Sequence, residues 1–292
     1  MRHLIINADG YGFTLGIARA IEECIEFGTV RSVSANVNFE HADRLIQVVK
    51  KHPAISVGCH INPIVGRPVL PPHQVPSLVD HNGEFFYRTF SRRFLRGQIR
   101  LMELRAEMIA QVQKTRDLVG VAFSHVDFHM GLHRLPGLYS LFLEVLEQSG
   151  VRRIRTHRYL VGMESRFPRL RHFLHMFESP TRVFKVMWNI WLRGQALHRS
   201  FAMPDRRAEI THMGSRADVI TVKNYLMLLK NIPHGFSEFV VHPGYVDNEL
   251  KRWSTYLDQR MLEREVLLSP DFRNGLRSSD IHLAGYRDIP LK

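Results

Sequence analysis

The sequence predicts an α/β fold, a mainly parallel αβ barrel that carries a basic, aromatic helical insertion. Three observations predict it: apolar strand-like runs alternate with helix-like segments, polar residues gather just beyond those runs, and the stretch 158–200 breaks the rhythm. Alternation of this kind marks βαβ units and a mainly parallel sheet. Barrels of this class use roughly 200–250 residues as one unit, so 292 residues suit one catalytic domain, 1–292, with an insertion at about 158–200.

His3 to Ala8 reads as an apolar strand, and Leu15 to Phe27 as a helix with Ile17, Ala20, Ile21, Cys24 and Ile25 on one face and Gly28 at its end. Val30 to Val37 is a second strand. Ala42 to Lys51 is a helix closed by His52-Pro53, and Ile55 to Ile61 a third strand. Residues 62–93 are rich in Pro and Gly without periodicity, as expected of a loop serving as a lid or substrate wall. A helix from Gln98 to about Leu118, a strand from Ala122 to Phe128, a helix from Pro136 to Gln148 and a strand from Val151 to Arg155 follow. After Met203 come a helix near Asp218 to Lys230, a strand from Phe236 to Val241, a helix near Tyr256 to Leu268 and an irregular end.

The composition is that of an ordinary globular chain, 45% hydrophobic and 23% charged, which excludes a mainly disordered protein. The start turns polar too soon for a signal peptide and there is no charge-free apolar run of about 18 residues, so a cytoplasmic, at most membrane-peripheral, protein is expected. Cys24 and Cys59 sit inside apolar patterns and read as small buried hydrophobes. The net charge of +12 favours anionic partners. Most of the excess comes from Arg152 to Arg199, with eleven Lys/Arg against Glu164 and Glu178, interleaved with Phe167, Phe173, Phe177, Phe184, Trp188 and Trp191. That stretch reads either as a barrel-capping helical pair with a solvated basic face or as an element that lies on anionic lipid.

The chemistry is expected at the C-terminal ends of the strands, where a parallel barrel carries its active site. Asp9, His60, the Ser124–His133 segment and His242 all fall there. Asp9, His60 and His129 make a set of one carboxylate and two imidazoles, able to hold one divalent ion, magnesium or zinc, with a position left for water. Strand-end histidines that only bond within loops are the alternative reading. His125, Asp127 and His129 share a strand face, so Asp127 is expected to orient a ligand imidazole from behind, His133 to reach substrate, and His125 to be structural.

These segments together resemble the YdjC-like carbohydrate deacetylases, which include the chitooligosaccharide deacetylases. The family pattern Asn-Ala-Asp-Asp-Phe-Gly is matched by Asn7 to Gly12, Gly-x-His-x-Asn by Gly58 to Asn62, Thr-His-x-Asp-Ser-His-x-His-Val-His by Ser124 to His133, and His-Pro-Gly-Tyr by His242 to Tyr245. Order and spacing hold over nearly the whole chain outside the insertion. The resemblance implies a distorted TIM-like (β/α) barrel and a metal-dependent hydrolase that removes an N-acetyl group from an amino sugar, oligosaccharide or glycolipid. The family's metal histidines fall on His60 and His129. Its paired acids divide proton transfer from metal ligation, and here the second is Gly10, so either Asp9 is the ligand or the metal has fewer protein ligands. The expected roles are Asp9 and His242 in proton transfer, with Glu238 orienting His242, and Arg155, His133, Asn62 and Tyr245 on the substrate.

Three rivals stay open: a metal-dependent phosphoesterase, a catalytically degenerate barrel that binds glycan or lipid, and a nucleic-acid binder. The last lacks any zinc finger, RNP-type motif or helix-turn-helix, and no nucleic acid is expected as a partner. An N-acetylated sugar or glycolipid, an anionic membrane surface met through 158–200, and a second copy in a homodimer are the partners the sequence allows.

Overall fold

The computed structural model describes residues 1–160, 180–209 and 217–291. In chain order the elements are β1 (Arg2–Tyr11), α1 (Leu15–Phe27), β2 (Ser32–Ala35), α2 (Leu45–Lys51), β3 (Ser56–Ile61), α3 (Phe90–Leu95), α4 (Leu101–Val119), β4 (Phe123–Phe128), α5 (Leu138–Gln148), α6 (Pro180–His198), β5 (Arg206–Ala208), α7 (Val222–Lys230), β6 (Gly235–Val241), α8 (Asn248–Trp253), α9 (Asp258–Leu267), α10 (Pro270–Ser278) and β7 (Ile281–Ala284).

Among the described residues the ladders between the strands of the sheet are all parallel, and the strand order is β4-β3-β2-β1-β6-β5. The sheet curls on itself. Backbone bridges from Val126 to Ile154, from Arg153 to Ala202 and from Tyr159 to Arg207 carry the pairing from β4 across the segment after α5 and back to β5. The expected strand Val151 to Arg155 is thus present only as isolated bridges. Its Ile154 and Arg155 are buried all the same, which fixes the segment without a regular ladder.

Local chemistry explains the first unit. The Thr14 hydroxyl accepts from Ile17 N at 3.2 Å and caps α1; Gly28, at φ 86°, ends it by donating to the Cys24 and Ile25 carbonyls. Ile17, Ala18, Ile21, Cys24 and Ile25 bury the inner stripe of α1 with Leu4, Ile6 and Ala8 of β1 in the main apolar cluster. Strand alternation turns Ile5, Asn7 and Asp9 to the other face, inside the curl. There Ile5 meets Ala284, Tyr286 and Ile289 in a second cluster. The chain's end is therefore not irregular as expected: α10 leads to β7, which pairs Arg2–Ile5 of β1, and Tyr286 and Ile289 fill the inner floor.

Above that floor runs a cross-strand row, Asp9 opposite Ser34, Ser34 opposite Gly58, Gly58 opposite His125. A Cβ on Gly58 would lie 2.4 Å from the His125 ring. The ring is held from its other neighbour by Tyr286, stacked at 3.6 Å and 7°. Glycine is required here because His125 occupies the space of its side chain. Burial lowers the His125 pKa to about 3, so it is a neutral hydrogen-bonding filler, in line with a structural role.

Of the insertion, 161–179 with Phe167, Phe173 and Phe177 lies outside the described residues. Helix α6 docks by Leu192 and Ala196, both buried, and by Trp188, whose indole donates to the Arg134 carbonyl at 2.9 Å. Among the described residues no helix is long and apolar enough to cross a membrane.

Gly58→Ala is expected to cost about 1–3 kcal/mol of stability through overpacking against the His125–Tyr286 stack. An unchanged denaturant midpoint would show that the stack can move aside.

Candidate functional site

The inner faces of β1, β3, β4 and β6 bring their polar residues to one layer. Arg155 stands at its centre. The guanidinium donates from Nη1 to Asp9 Oδ2 at 2.7 Å, from Nη2 to Asp9 Oδ1 at 2.6 Å and from Nε to Glu238 Oε1 at 2.9 Å; Nη2 also lies 2.6 Å from Asp127 Oδ2. All four residues are buried. Arg155 was expected to bind substrate hydroxyls or an anion. It does not present itself for that, because its donors are engaged by buried carboxylates that would otherwise lose their counter-charge.

Each carboxylate then positions a neighbour. Asp127 Oδ1 accepts from His60 Nδ1 at 2.7 Å, His60 and Asp127 being direct partners across β3 and β4, and Asp127 Oδ2 accepts from the Ser34 hydroxyl at 3.0 Å. Asp9 Oδ1 accepts from Asn7 Nδ2 at 2.7 Å. Burial opposes the charge on Asp9, but Arg155 outweighs it and holds the carboxyl well below its usual range. Burial likewise works against a cationic His60, and Asp127 with Asp9 overcomes it, leaving the pKa raised. Burial raises Glu238 despite Arg155.

Above this layer lie His129 and His242. The His60 and His129 rings meet edge to face with centroids 5.3 Å apart. Burial, then the neighbouring His60, lowers the His129 pKa to about 3, and burial lowers His242 to about 3. Both are neutral imidazoles at pH 7. His242 Nε2 is 3.9 Å from Asp9 Oδ2, and its Nδ1 is 4.0 Å from Glu263 Oε1.

Glu263 of α9 is a site residue that sequence reasoning missed. Its carboxylate accepts from His242 N at 2.6 Å and from the Tyr256 hydroxyl, and burial pushes its pKa up to about 7. Glu238, expected to orient His242, is not the acid beside it; that acid is Glu263, bonded to the His242 backbone N with Oε1 4.0 Å from the ring Nδ1. Glu238 lies four residues earlier on the strand, roughly 13 Å below at about 3.3 Å per residue, and faces Arg155. The available signal was spacing alone: Arg260 and Glu263 stand at i and i+3 on the helical stripe that continues to Val266 and Leu267.

A cavity of about 390 Å³ opens over Asp9, His60, His129, His133 and His242. Tyr87, from the loop expected to serve as a wall, reaches it, its ring edge-on to Trp253 at 5.7 Å, and Tyr256 adds a third aromatic surface. His133 lines the cavity too, packed among Phe128, Tyr139, Phe142 and His157. Asn62 and Tyr245, both expected on the substrate, are not there. The Asn62 amide is buried and organises its own loop, accepting from Ile64 N and Val65 N and donating to Val65 O and Asn38 Oδ1. Tyr245 faces α1: its hydroxyl donates to Glu23 Oε1 at 2.8 Å, and Arg264 covers its ring. Matching a motif places a residue near a site without saying which way its side chain turns.

Asp9, His60 and Asp127 offer ligand atoms that lie within 4.8 Å of one another, a buried set able to hold a metal ion. The surroundings fit a cation. Three carboxylates surround one guanidinium, which leaves surplus negative charge. His129 is neutral and has no hydrogen bond to a described residue, and the Nδ1 bond to Asp127 leaves His60 its Nε2 as the ligating nitrogen.

The architecture is an α/β fold with a parallel sheet curled into a half-barrel, consistent with a TIM-like barrel, and its polar site lies at the C-terminal ends of the strands. The family model described as YdjC-like protein matches residues 3–278, and the chain belongs to that family. A carbohydrate deacetylase of Thermoanaerobacter pseudethanolicus is 27% identical over 98% of this chain and 98% of its own length, and one of Mus musculus 29% over 99% and 95%. A chitooligosaccharide deacetylase of Proteus mirabilis is 26% identical over 99% of this chain and 100% of its own. A crystal structure from Enterococcus faecalis, titled as a candidate cellobiose-phosphate cleavage protein, shares the fold, with TM-score 0.71 and 23% identity over 98% and 97% of the two chains.

Arg155→Met is expected to destabilise the fold by about 3–5 kcal/mol, since it leaves buried carboxylates without a counter-charge. Chemical denaturation checks it; a loss below 1 kcal/mol would mean that the acids take up protons at little cost.

Proposed function

We propose that this chain is a metal-dependent carbohydrate N-deacetylase, a single catalytic domain that hydrolyses the acetamide of an N-acetylated amino sugar. The observation that carries the proposal is the pairing of Asp9 and His242 across one cavity, beside His60 and His129, in a chain whose relatives are named carbohydrate and chitooligosaccharide deacetylases. His60 and His129 would hold the ion, and imidazole donors favour zinc over magnesium. When bound, a divalent ion supplies polarisation of the acetamide carbonyl and acidification of water. Asp9 has both oxygens bonded to Arg155, so its part is proton transfer from water, with Arg155 fixing its orientation at some cost in basicity. His242, neutral at rest, takes over the proton that Asp9 draws from water, its Nε2 lying 3.9 Å from Asp9 Oδ2, and delivers it to the leaving nitrogen, while anionic Glu263 at its Nδ1 side favours the imidazolium formed on the way. The aromatic surfaces of Tyr87, Trp253 and Tyr256 suit the apolar faces of a pyranose ring. A phosphoesterase is the weaker reading, because the carboxylates that a second metal would need are engaged by Arg155.

Acetate release from a panel of N-acetylated sugars tests the proposal. Asp9→Asn and His242→Gln are each expected to lower kcat/KM by about 10²- to 10⁴-fold. Bound metal with no release across the panel would favour a binding barrel. The pH profile gives a second check. Glu263 carries its proton below about pH 7 and loses it above, so kcat/KM rises with pH through that region and Glu263→Gln removes the limb. A limb that persists in the variant would assign it to another group.

One observation favours an amphiphilic substrate, a glycolipid, over a free oligosaccharide. Phe184, Met187, Ile190 and Trp191 on α6 are 65%, 63%, 66% and 45% exposed, and basic residues but no acid occur in the helix. Such a face suits contact with an anionic membrane. Phe184→Ser with Trp191→Ser is expected to weaken co-sedimentation with anionic liposomes. Unchanged sedimentation rejects the contact, and concentration-dependent self-association that the double variant abolishes would make the face a homodimer surface instead.

A further inference from the structure

We propose that Asn36 is a metal ligand, its side-chain oxygen completing the donor set that His60 and His129 begin; the inference rests on the metal-dependent reading above. Asn36 directly follows β2 and continues the inward alternation of Ser32 and Ser34. Its backbone N donates to the Tyr11 carbonyl at 2.9 Å, tying it to the end of β1. Its Nδ2 donates to the His60 carbonyl at 3.1 Å, tying it to the end of β3. That bond also identifies the other amide atom, because a carbonyl only accepts and must face the NH₂.

The Oδ1 atom is the unexplained part. Asn36 is 0% exposed, it lines the cavity with His60 and His129, and among the described residues its Oδ1 has no hydrogen-bond partner. An unpartnered buried acceptor costs about 1–3 kcal/mol, so one held at a cavity wall by two anchoring bonds calls for a ligand. The adjacent backbone shows where that ligand belongs. β1 and β2 shift register between Asp9 and Tyr11, and Gly10 there adopts φ 92° and presents no side chain. A Cβ on Gly10 would stand 3.9 Å from Asn36 Oδ1, so the Asn36 oxygen borders the space that a residue-10 side chain would enter.

The other oxygens nearby are already engaged. Both Asp9 oxygens bond to Arg155, and the Asp127 oxygens are bonded to His60 and to Ser34 with Arg155. Asn36 Oδ1 is an oxygen at this wall without such a claim on it. Amide carbonyls serve as ligands to hard and borderline cations. A neutral amide in place of a carboxylate leaves the site one negative charge poorer.

Cobalt(II) titration of the full chain, followed by calorimetry and by visible absorption, tests this without reference to turnover. The wild type is expected to bind one cobalt, and His60→Ala and His129→Ala to lose it. Asn36→Leu should weaken binding roughly 10- to 100-fold and change the absorption of the remaining complex. Asn36→Asp separates ligation from support: it cannot donate to the His60 carbonyl, yet its carboxylate should bind cobalt more tightly than the wild type. Weakening in Asn36→Asp to the level of Asn36→Leu overturns the proposal and makes Asn36 a positioning residue for β3. Wild-type affinity and spectrum in Asn36→Leu overturn it as well, while leaving the metal reading intact. A wild-type chain that binds no cobalt defeats the metal reading and this proposal together. Should Asn36→Leu lose its native unfolding transition, Asn36→Asp alone decides.

Discussion

A buried guanidinium among carboxylates from three strands is the constraint on which the rest of the molecule depends. Asp9 of β1, Asp127 of β4 and Glu238 of β6 are all withdrawn from water, and without Arg155 their mutual repulsion in a poorly polarisable interior would exceed what the neighbouring packing can offset. The planar fork does more than neutralise. It fixes both Asp9 oxygens, and through Asp127 it governs which nitrogen of His60 faces the cavity. The segment carrying Arg155 has no regular ladder of its own, only the bridges at Val126–Ile154 and Arg153–Ala202, so the ion pairs also help set where the sheet turns between β4 and β5.

Two layers with different physics result. In the lower one, Asn7, Ser34, His125, Asp127 and Arg155 bond to one another, and the ring of His125 fills the space that Gly58 leaves. In the upper one, half-buried His129 and His242 and fully buried Asn36 line the cavity, and the Asn36 amide oxygen has no hydrogen-bond partner among the described residues. A rigid charged base beneath neutral donors is the arrangement of a preorganised site, in which the supporting bonds are made before any substrate arrives.

Much of the fold was legible because its signals are local. The α1 bounds follow from Thr14, the apolar stripe and Gly28, each acting within one turn. The strands β1, β3, β4 and β6 were legible as apolar runs ending in polar residues. The C-terminal segment was not, since β7 is four residues long and exists only by pairing with β1, nearly the whole chain away. Among site residues, Asp9, His60, His129 and His242 announced themselves by residue type at strand ends. Glu263 did not, because a helix acid reads as solvated until the strand it packs under is known. Asn36 was visible in the polar alternation Ser32, Ser34, Asn36, a signal masked by the expectation that a buried central strand is apolar. Asn62, Tyr245 and Arg155 show the converse, each near the site in sequence or space with its polar atoms turned to other partners.

The sequence by itself determined the parallel α/β class, the end of the sheet that holds the chemistry, and which titratable residues meet there, since periodicity and strand-end position are properties of short segments. The tertiary structure decided what each of those residues does. Whether a carboxylate is a base, an ion-pair partner or a support for an imidazole depends on which charge lies within about 3 Å of it, and Arg155, Glu263 and Asn36 come to Asp9, His242 and His60 from distant parts of the chain or from neighbouring strands.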